Sequence, residues 1–575
     1  MSILLTPARI GPVEIANRIV MPPMTTRTAS EEGFVTAETT AYYLARAAGG
    51  VGLITVEMAA PEKAGRHRHR ELGIYDDRFL AGLASLVEEI HRAGAKASIQ
   101  LGHGGGHTRK DICGEEPIAP SAIPHPVFEI TFETIVPQAM TAARIERTKA
   151  AFVAAAQRAQ AAGFDCVEIH AAHGYLISQF LNPFENRRED QYGGALENRA
   201  RFGLDILRAV KAAVPAMGVI FRISVEDFFP GGLHADEGTQ VAVWAAEGGA
   251  DALHVTAGHY RSLPSAAMMI PPMRLPEATF LGYAADIRAR VKVPVIAVGR
   301  LGDPATAAQA VARGQADFVA LGRTLIADPE WVAKLARGEP PRRCLACNTC
   351  VNEMRSGARL GCVVNAMAAR ELEFRGREPP TGERIAVIGA GPAGLTFASL
   401  VATGNAVTVF ERAAQAGGAF RRAGKAPLFQ EVEADQRSFG AYVDALVRAC
   451  RHQGVTFRFN ADVHANRDLL APFDRIVIAT GARYRPGVGG VVACVLDLGL
   501  ARWPGLRQMF SSPRLRDWFY HRARHGTAGD FSGLVGPEQK CIVIGDAARP
   551  GKSKEAIASA FAAALQGKPV GGRAQ

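Results

Sequence analysis

Short apolar runs rich in Val and Ile alternate with Ala-rich amphipathic stretches of helical period from the start of the chain to about residue 340. A strand-length apolar run followed by a 3.6-period helix, repeated, marks a parallel β/α architecture. The runs predict strands near Ile19–Met21, Val51–Glu57, Lys96–Leu101, Cys166–His170, Val219–Ser224, Ala252–Thr256, Pro294–Gly299 and Phe318–Gly322. Eight such units predict an α/β fold of the TIM (β/α)8 barrel type, in which chemistry gathers at the C-terminal strand ends. Polar residues fall at those ends: Gln100, His170, Arg222, His254, Arg300 and Arg323.

After residue 343 the rhythm breaks. A cysteine-bearing segment spans 344–370, and 371–382, with Pro379 and Pro380 amid charges, reads as a linker. A second domain then opens with a strand at Ile385–Ile388, the loop Gly389-Ala-Gly391-Pro-Ala-Gly394, a helical pattern and a strand ending in Glu411. A lone glycine triplet is weak, but one that follows a strand, precedes a helix and has an acidic residue about 20 positions on fits a Rossmann-like dinucleotide site.

Composition narrows the class. With 48% hydrophobic and 21% charged residues the 575-residue chain is an ordinary globular protein, and no stretch is apolar enough to predict a membrane span. The start, Met1 to Pro7, lacks the basic and apolar regions of a signal peptide, so a cytoplasmic, reducing location is expected. The net charge of +10 favours anionic partners such as nucleotides, coenzyme A thioesters or an acidic electron carrier; dispersed arginines argue against nucleic acid. A homo-oligomer is expected.

Four of the nine cysteines, Cys344, Cys347, Cys350 and Cys362, are spaced C-x2-C-x2-C-x11-C. Three thiolates on one tight loop with a fourth returning after a short excursion suit the corners of a four-iron cluster. Zinc is the alternative, although a four-cysteine zinc site usually comes as two C-x2-C pairs.

Taken together, Asn17-Arg-Ile-Val-Met-Pro-Pro-Met24, Gln100-Leu-Gly-His103, Glu168-Ile-His170-Ala-Ala-His173-Gly-Tyr175, Leu181-Asn-Pro, Tyr192-Gly-Gly and Glu197-Asn-Arg199 resemble the old yellow enzyme family of FMN barrels. With the cysteine run and the dinucleotide fold, the chain resembles the iron-sulfur subgroup that contains 2,4-dienoyl-CoA reductase and trimethylamine dehydrogenase. The resemblance implies FMN, one [4Fe-4S] cluster held by the four cysteines, and FAD, with bare ADP as an alternative.

It also assigns residues. Pro22, Met24 and Thr25 would line the flavin. Gln100 would pair with its pyrimidine edge, and Arg222 would stabilise the anion formed on reduction. The loops Gly299-Arg300 and Gly322-Arg323 would hold the FMN phosphate. His170 and His173 would point N–H donors at one carbonyl oxygen, Tyr175 would donate a proton, and His259 is a further candidate donor. A metal site is the other reading of HxxH. In the second domain Gly389, Gly391, Gly394, Glu411, Gly418, Thr480, Gly481, Gly545 and Asp546 would hold the dinucleotide. Trimethylamine dehydrogenase-like proteins attach FMN through a cysteine in the loop after the first strand; Thr25 and Thr26 stand there, so the flavin should be dissociable.

The chain departs from the dienoyl-CoA reductase pattern between the two parts of the FAD domain, expected at 383–485 and 541–575. There a second Rossmann unit for NAD(P)H is replaced by 486–540, too short for a folding unit of that kind. Its glycine cluster Gly487-Val-Gly-Gly490 shows no helix-opening pattern, so a standard NAD(P)H site is expected to be missing. The stretch 501–533 alternates Arg with aromatics, a composition fit either to dock an electron carrier or partner subunit, or to cap the shortened domain as a solvated helix.

The expected activity is reduction of the C=C bond of an α,β-unsaturated carbonyl or enoyl-CoA substrate in the barrel of residues 1–343, with electrons relayed from FAD through the cluster to FMN. Single-electron steps would bridge a gap that hydride transfer, which needs about 3 to 3.5 Å between reacting atoms, cannot span. Two alternatives stand beside it: amine or N-methyl oxidation with electrons passed to an electron-transfer flavoprotein, and an electron-transfer subunit of a larger complex.

Overall fold

The apolar runs of the first 340 residues become strands β1 (Ile19–Met21), β2 (Leu53–Ala60), β3 (Lys96–Leu101), β4 (Cys166–Ala171), β5 (Gly218–Ser224), β6 (Ala252–Thr256), β7 (Val295–Ala297) and β8 (Phe318–Ala320) in a computed structural model that describes residues 2–531 and 533–565. All pair in parallel in the order β1-β8-β7-β6-β5-β4-β3-β2, and a β1–β2 pairing closes the barrel. Helices between the strands start on ordinary caps; the Thr141 side chain, for example, accepts the Arg144 N–H (3.2 Å) at the start of Ala142–Ala161.

Two-fold alternation along each strand stacks the barrel interior in tiers. Cys166, Ile220, Ala252, Ile296, Phe318, Val20 and Leu53 make one buried apolar tier, against which Ile10, Val13 and Ile15 of an N-terminal hairpin pack. Each such aliphatic side chain contributes roughly 1.5–3 kcal/mol by leaving water. Two residues further along their strands, Glu168, Arg222 and His254 occupy the next tier. The barrel therefore has a dry floor and a polar mouth.

The chain divides into two compact units: Met1–Leu325 with Pro329–Ala336 and Cys350–Leu360, and Ile326–Asp328 with Arg337–Thr349 and Gly361–Gln575. The second is built on a parallel sheet of β9 (Arg384–Ile388), β10 (Ala406–Glu411), β11 (Thr456–Phe459), β12 (Arg475–Ile478) and β13 (Lys540–Val543), ordered β11-β10-β9-β12-β13. The order reverses at β9, which places the glycine loop in the crevice where such sheets take ligands.

Two sequence expectations are corrected in this unit. Glu371–Phe374 at the start of the expected linker is a helical turn with Glu371 and Phe374 buried, the Phe374 ring covered by the guanidiniums of Arg370 (5.7 Å) and Arg377 (5.6 Å). The cluster after Gly487 does open a helix, Val488–Asp497, with Gly487 supplying the positive φ of its cap. Beyond it lie helices Pro504–Ser511 and Pro513–His521 and a short strand, Arg524–Gly526, paired with Ala482–Tyr484.

Arg502 donates to the carbonyls of Gly424 (2.8 Å) and Ala434 (2.6 Å), Arg516 pairs with Glu431, and Arg524 pairs with Asp546. These three arginines hold the insert to its own unit. Trp503 stays exposed, while the side chains of Phe519 and Tyr520 lie outside the described residues.

Candidate active site

The polar tier is organised by Glu168. Its Oε1 accepts from Gln100 Nε2 (2.7 Å), its Oε2 lies 2.8 Å from His254 Nδ1, and Arg222 Nη1 is 3.7 Å from Oε1. Burial pushes the Glu168 carboxyl up, but His254 and Arg222 outweigh it and hold the group ionised. Strand register sets this arrangement: Glu168 stands opposite Gln100, and Arg222 stands between His170 and His254. Gln100 and Arg222 were expected at the flavin edge; the carboxylate and imidazole that position them were not assigned from sequence.

His170 follows Glu168 on the same inner face, and its ring centroid is 5.2 Å from that of His173 and 4.9 Å from that of Tyr175. The three expected chemical residues thus converge. His173 is held in left-handed backbone (φ 65°), its N–H donating to Ser224 Oγ (3.0 Å) and its Nε2 lying 3.2 Å from Thr256 Oγ1. Such a conformation is costly for a residue with a Cβ and persists where neighbours impose it, commonly at functional sites. Burial, and then His173 and Arg222 for His170 and Arg222 for His173, hold both imidazoles well below their ordinary range, so they are neutral at pH 7. Burial, and then Tyr260, push the Tyr175 phenol well above 10. It keeps its proton.

His259 is placed differently. It is fully buried with Nε2 3.1 Å from Glu185 Oε2, and Nδ1 accepts the Arg261 N–H (3.1 Å). Burial would lower its pKa, yet Glu185 and Asp227 raise it; since Nδ1 accepts a backbone N–H, the geometry fits the neutral form better than that direction suggests. Both nitrogens are engaged away from Tyr175. Arg300 and Arg323, expected at the FMN phosphate, reach loop carbonyls here: Arg300 Nη1 donates to the carbonyls of Pro272 (2.9 Å), Met273 (2.8 Å) and Leu275, and Arg323 Nη2 to that of Pro271 (2.8 Å). Their guanidiniums pin the loop after β6. Gly299, at φ 111°, and Gly322, at the start of a helical turn, still offer close backbone approach. A Cβ on Gly322 would meet Met24 Sδ at 3.0 Å and Pro22 Cγ at 3.3 Å, so the expected flavin-lining residues of the β1 loop close against that of β8, with Thr25 half-buried beside them.

A second set of residues at this mouth went unassigned from sequence. Arg68 is buried, donating to Tyr260 Oη (3.2 Å) and to Glu129 Oε2 (2.9 Å). The Tyr260 ring lies 5.6 Å from Tyr175 and stacks on His107 at 4.3 Å. The run Arg66-His67-Arg68-His69-Arg70 is the sequence signal that could have found this loop.

The site fits a flavin. Arg222 Nε, His170 Nδ1 and His254 Nε2 are buried with no hydrogen-bond partner among the described residues, polar atoms that a flavin edge and a carbonyl substrate would take up. In the second unit the Gly391 position is open, while a Cβ on Gly394 would meet Gly389 O at 2.1 Å and one on Gly389 would meet Ala479 O at 2.5 Å. Gly418 lies against Gly391, and Gly545 against Ala393. The helix Pro392–Val401 opens without a side-chain cap, leaving its first N–H groups for a phosphate. Glu411 accepts from Ala390 N–H (2.8 Å) and Ala413 N–H (2.8 Å). Thr480 Oγ1 lies 2.6 Å from Thr527 Oγ1, the Gly481 carbonyl accepts from Thr527, and Asp546 pairs with Arg524 at 2.7 Å.

The cysteine loop winds tightly, with positive φ at Ala346 and Asn348 and the Ala346 N–H 3.3 Å from Cys344 Sγ. Loops of this kind aim backbone N–H groups at anions and cluster sulfurs. None of the four cysteines is in a disulfide, and among the described residues no three His, Cys, Asp or Glu side chains converge to hold a metal ion. A four-iron cube is larger than an ion and takes its thiolates at its corners.

Residues 3–341 match the NADH:flavin oxidoreductase / NADH oxidase family, and 387–431 match an NAD(P)-binding Rossmann-like domain. The chain therefore belongs to that flavin oxidoreductase family, that of the old yellow enzymes, and is an oxidoreductase. It is 38% identical over 488 residues to an NADH oxidase of Thermoanaerobacter brockii, covering 83% of this chain and 73% of that one. It is 31% identical over 511 residues to a cinnamate reductase of Clostridium sporogenes, covering 84% and 74%. In fold it is similar to 2-naphthoyl-CoA reductase, with a TM-score of 0.85 and 23% identity over 98% of this chain and 99% of that chain. The family implies FMN, and the second unit a dinucleotide. Among the described residues no helix is long and apolar enough to cross a membrane.

Proposed function

We propose that the protein reduces the C=C bond of an α,β-unsaturated carbonyl substrate at the mouth of the barrel. The observation that carries this reading is the convergence of His170, His173 and Tyr175 above the Glu168 tier, with neutral imidazoles and a protonated phenol. When bound, FMN supplies the hydride, and a [4Fe-4S] cluster on Cys344, Cys347, Cys350 and Cys362 with FAD in the second unit would feed it electrons. The two imidazoles donate to the substrate's carbonyl oxygen and draw electron density from the adjacent double bond. Neutral donors suit this task, because they polarise the oxygen without surrendering a proton. Tyr175 protonates the carbon next to the carbonyl. Gln100 and Arg222 bind the flavin's polar edge, Arg222 being kept cationic beside Glu168. The dry floor keeps bulk water from the reacting carbons.

The test is anaerobic. Protein purified without oxygen is assayed for FMN, FAD and iron, photoreduced, and mixed with cinnamaldehyde. Reoxidation with saturation of the double bond is expected. Failure to reoxidise with any enone or enal, together with bleaching of the oxidised flavin by an N-methylamine such as sarcosine, would overturn the reading.

A further inference from the structure

Charge at the barrel mouth is unbalanced in a way the reaction above does not use. Three guanidiniums, those of Arg27, Arg68 and Arg355, gather about Glu129 and Tyr260. Arg27 spends its donors on Glu129, the Met354 carbonyl (2.6 Å) and the His69 carbonyl (3.1 Å). Arg68 spends its own on Glu129, His67 Nε2 (2.9 Å) and the Tyr260 hydroxyl. Glu129 is the one carboxylate shared between them. Nearby Glu71 is matched to His67 (2.9 Å), and Arg109 to Asp111 (2.9 Å) and Glu133 (3.4 Å).

The third cation is Arg355. Its Cζ lies 5.3 Å from the centroid of the Tyr260 ring, whose hydroxyl is its one side-chain partner among the described residues, and its Nε and Nη2 are sealed from solvent with no hydrogen-bond partner among those residues. Its placement is fixed by the backbone: the Ile130 N–H donates to the Arg355 carbonyl (2.9 Å), Arg27 Nε holds the preceding carbonyl, and the Leu360 N–H donates to Thr26 (3.1 Å). A guanidinium with two buried, unpaired nitrogens and no carboxylate beside it is costly unless an anion completes it, and its planar fork matches a carboxylate.

We propose that the substrate carries a free carboxylate, taken up by Arg355 beside Tyr260. The inference rests on the barrel mouth being the substrate site and refines it: the substrate is an unsaturated acid, or a carbonyl compound with a carboxylate arm, in place of a neutral enone or a thioester. Tyr260 completes the cradle. Burial pushes its phenol up, but Arg68 and Arg355 bring it down, so its hydroxyl is polarised toward the same anion.

The experiment uses FMN-loaded holoenzyme and two unreactive probes of equal shape, 3-phenylpropanoate and 3-phenylpropanamide, titrated by calorimetry. Wild-type protein should bind the acid at least tenfold more tightly than the amide, and added salt should narrow the gap. Arg355→Met should remove the preference while leaving amide affinity within twofold, and Arg355→Lys should keep part of it. The proposal is overturned if wild type shows no preference for the acid, whether both probes bind alike or neither binds, or if Arg355→Met retains the preference. The wild-type comparison decides even if the variants fail to fold. Failure of the site reading shows separately, as the absence of reoxidation by both cinnamaldehyde and cinnamate together with bleaching of the oxidised flavin by sarcosine.

Discussion

Glu168 Oε2 lies 2.8 Å from His254 Nδ1, with both side chains sealed from solvent. That pair, with Gln100 and Arg222 on the other oxygen, makes one carboxylate responsible for the charge balance of the barrel interior. Glu168→Ala strands Arg222 and His254 in a low-dielectric tier, and the expected cost is about 3–5 kcal/mol. Thermal unfolding followed by flavin release should show a clearly lowered midpoint, and an unchanged midpoint would refute the role.

Tyr175→Phe should lower turnover with an unsaturated carbonyl substrate by about 10²–10⁴-fold while leaving ligand binding and flavin content intact. Because burial keeps the phenol protonated well above pH 10, the wild-type rate should not fall as pH passes through 10. A loss centred there would mean the proton comes from a less buried group.

Glu57 is fully buried, accepting from Thr26 N–H (2.8 Å) and Thr26 Oγ1 (2.6 Å). Burial raises its carboxyl from 4.5 to about 7 against those hydrogen bonds. A raised folded-state pKa means that the folded protein holds the proton more tightly. Stability is then fully present below pH 4.5 and is lost as pH rises through 7, by about 3 kcal/mol over that window. Glu57→Gln should flatten this slope in unfolding measured between pH 5 and 8.

In the glycine loop two neighbours should behave oppositely. Gly391→Ala meets open space, so the fold should survive while a bound dinucleotide is lost, measured as released cofactor. Gly394→Ala drives a methyl to 2.1 Å from the Gly389 carbonyl and should lower the unfolding midpoint as well.

Cys362→Ser should remove iron from anaerobically purified protein and leave FMN content unchanged, checked by iron analysis beside flavin fluorescence. Full iron content in this variant would exclude Cys362 as a ligand.

Much of the site was legible because its signals are local. His170, His173 and Tyr175 lie within six positions on one strand and its turn, so the motif carries their geometry with it. Arg300, Arg323 and Asp546 were read one residue at a time from loop positions, and the structure ties them to Pro271–Leu275 and to Arg524, partners that no local pattern announces. Gly487 opens a helix after a strand of only three residues, Ala482–Tyr484, too short to stand out as an apolar run in the sequence.

What the chain determined by itself is the eight-strand rhythm, the order of barrel and dinucleotide domain and which strand ends carry polar groups, since a strand buried on both faces reads as a short continuous apolar run. What only the tertiary structure decided is which charges meet. Arg68 reaches a tyrosine 192 positions away, Glu168 a histidine 86 away, and Arg27 a carbonyl 327 away. Hydrophobic periodicity is set by neighbours along the chain, whereas the pairing of buried charges depends on barrel closure and on where loops from distant strands come down.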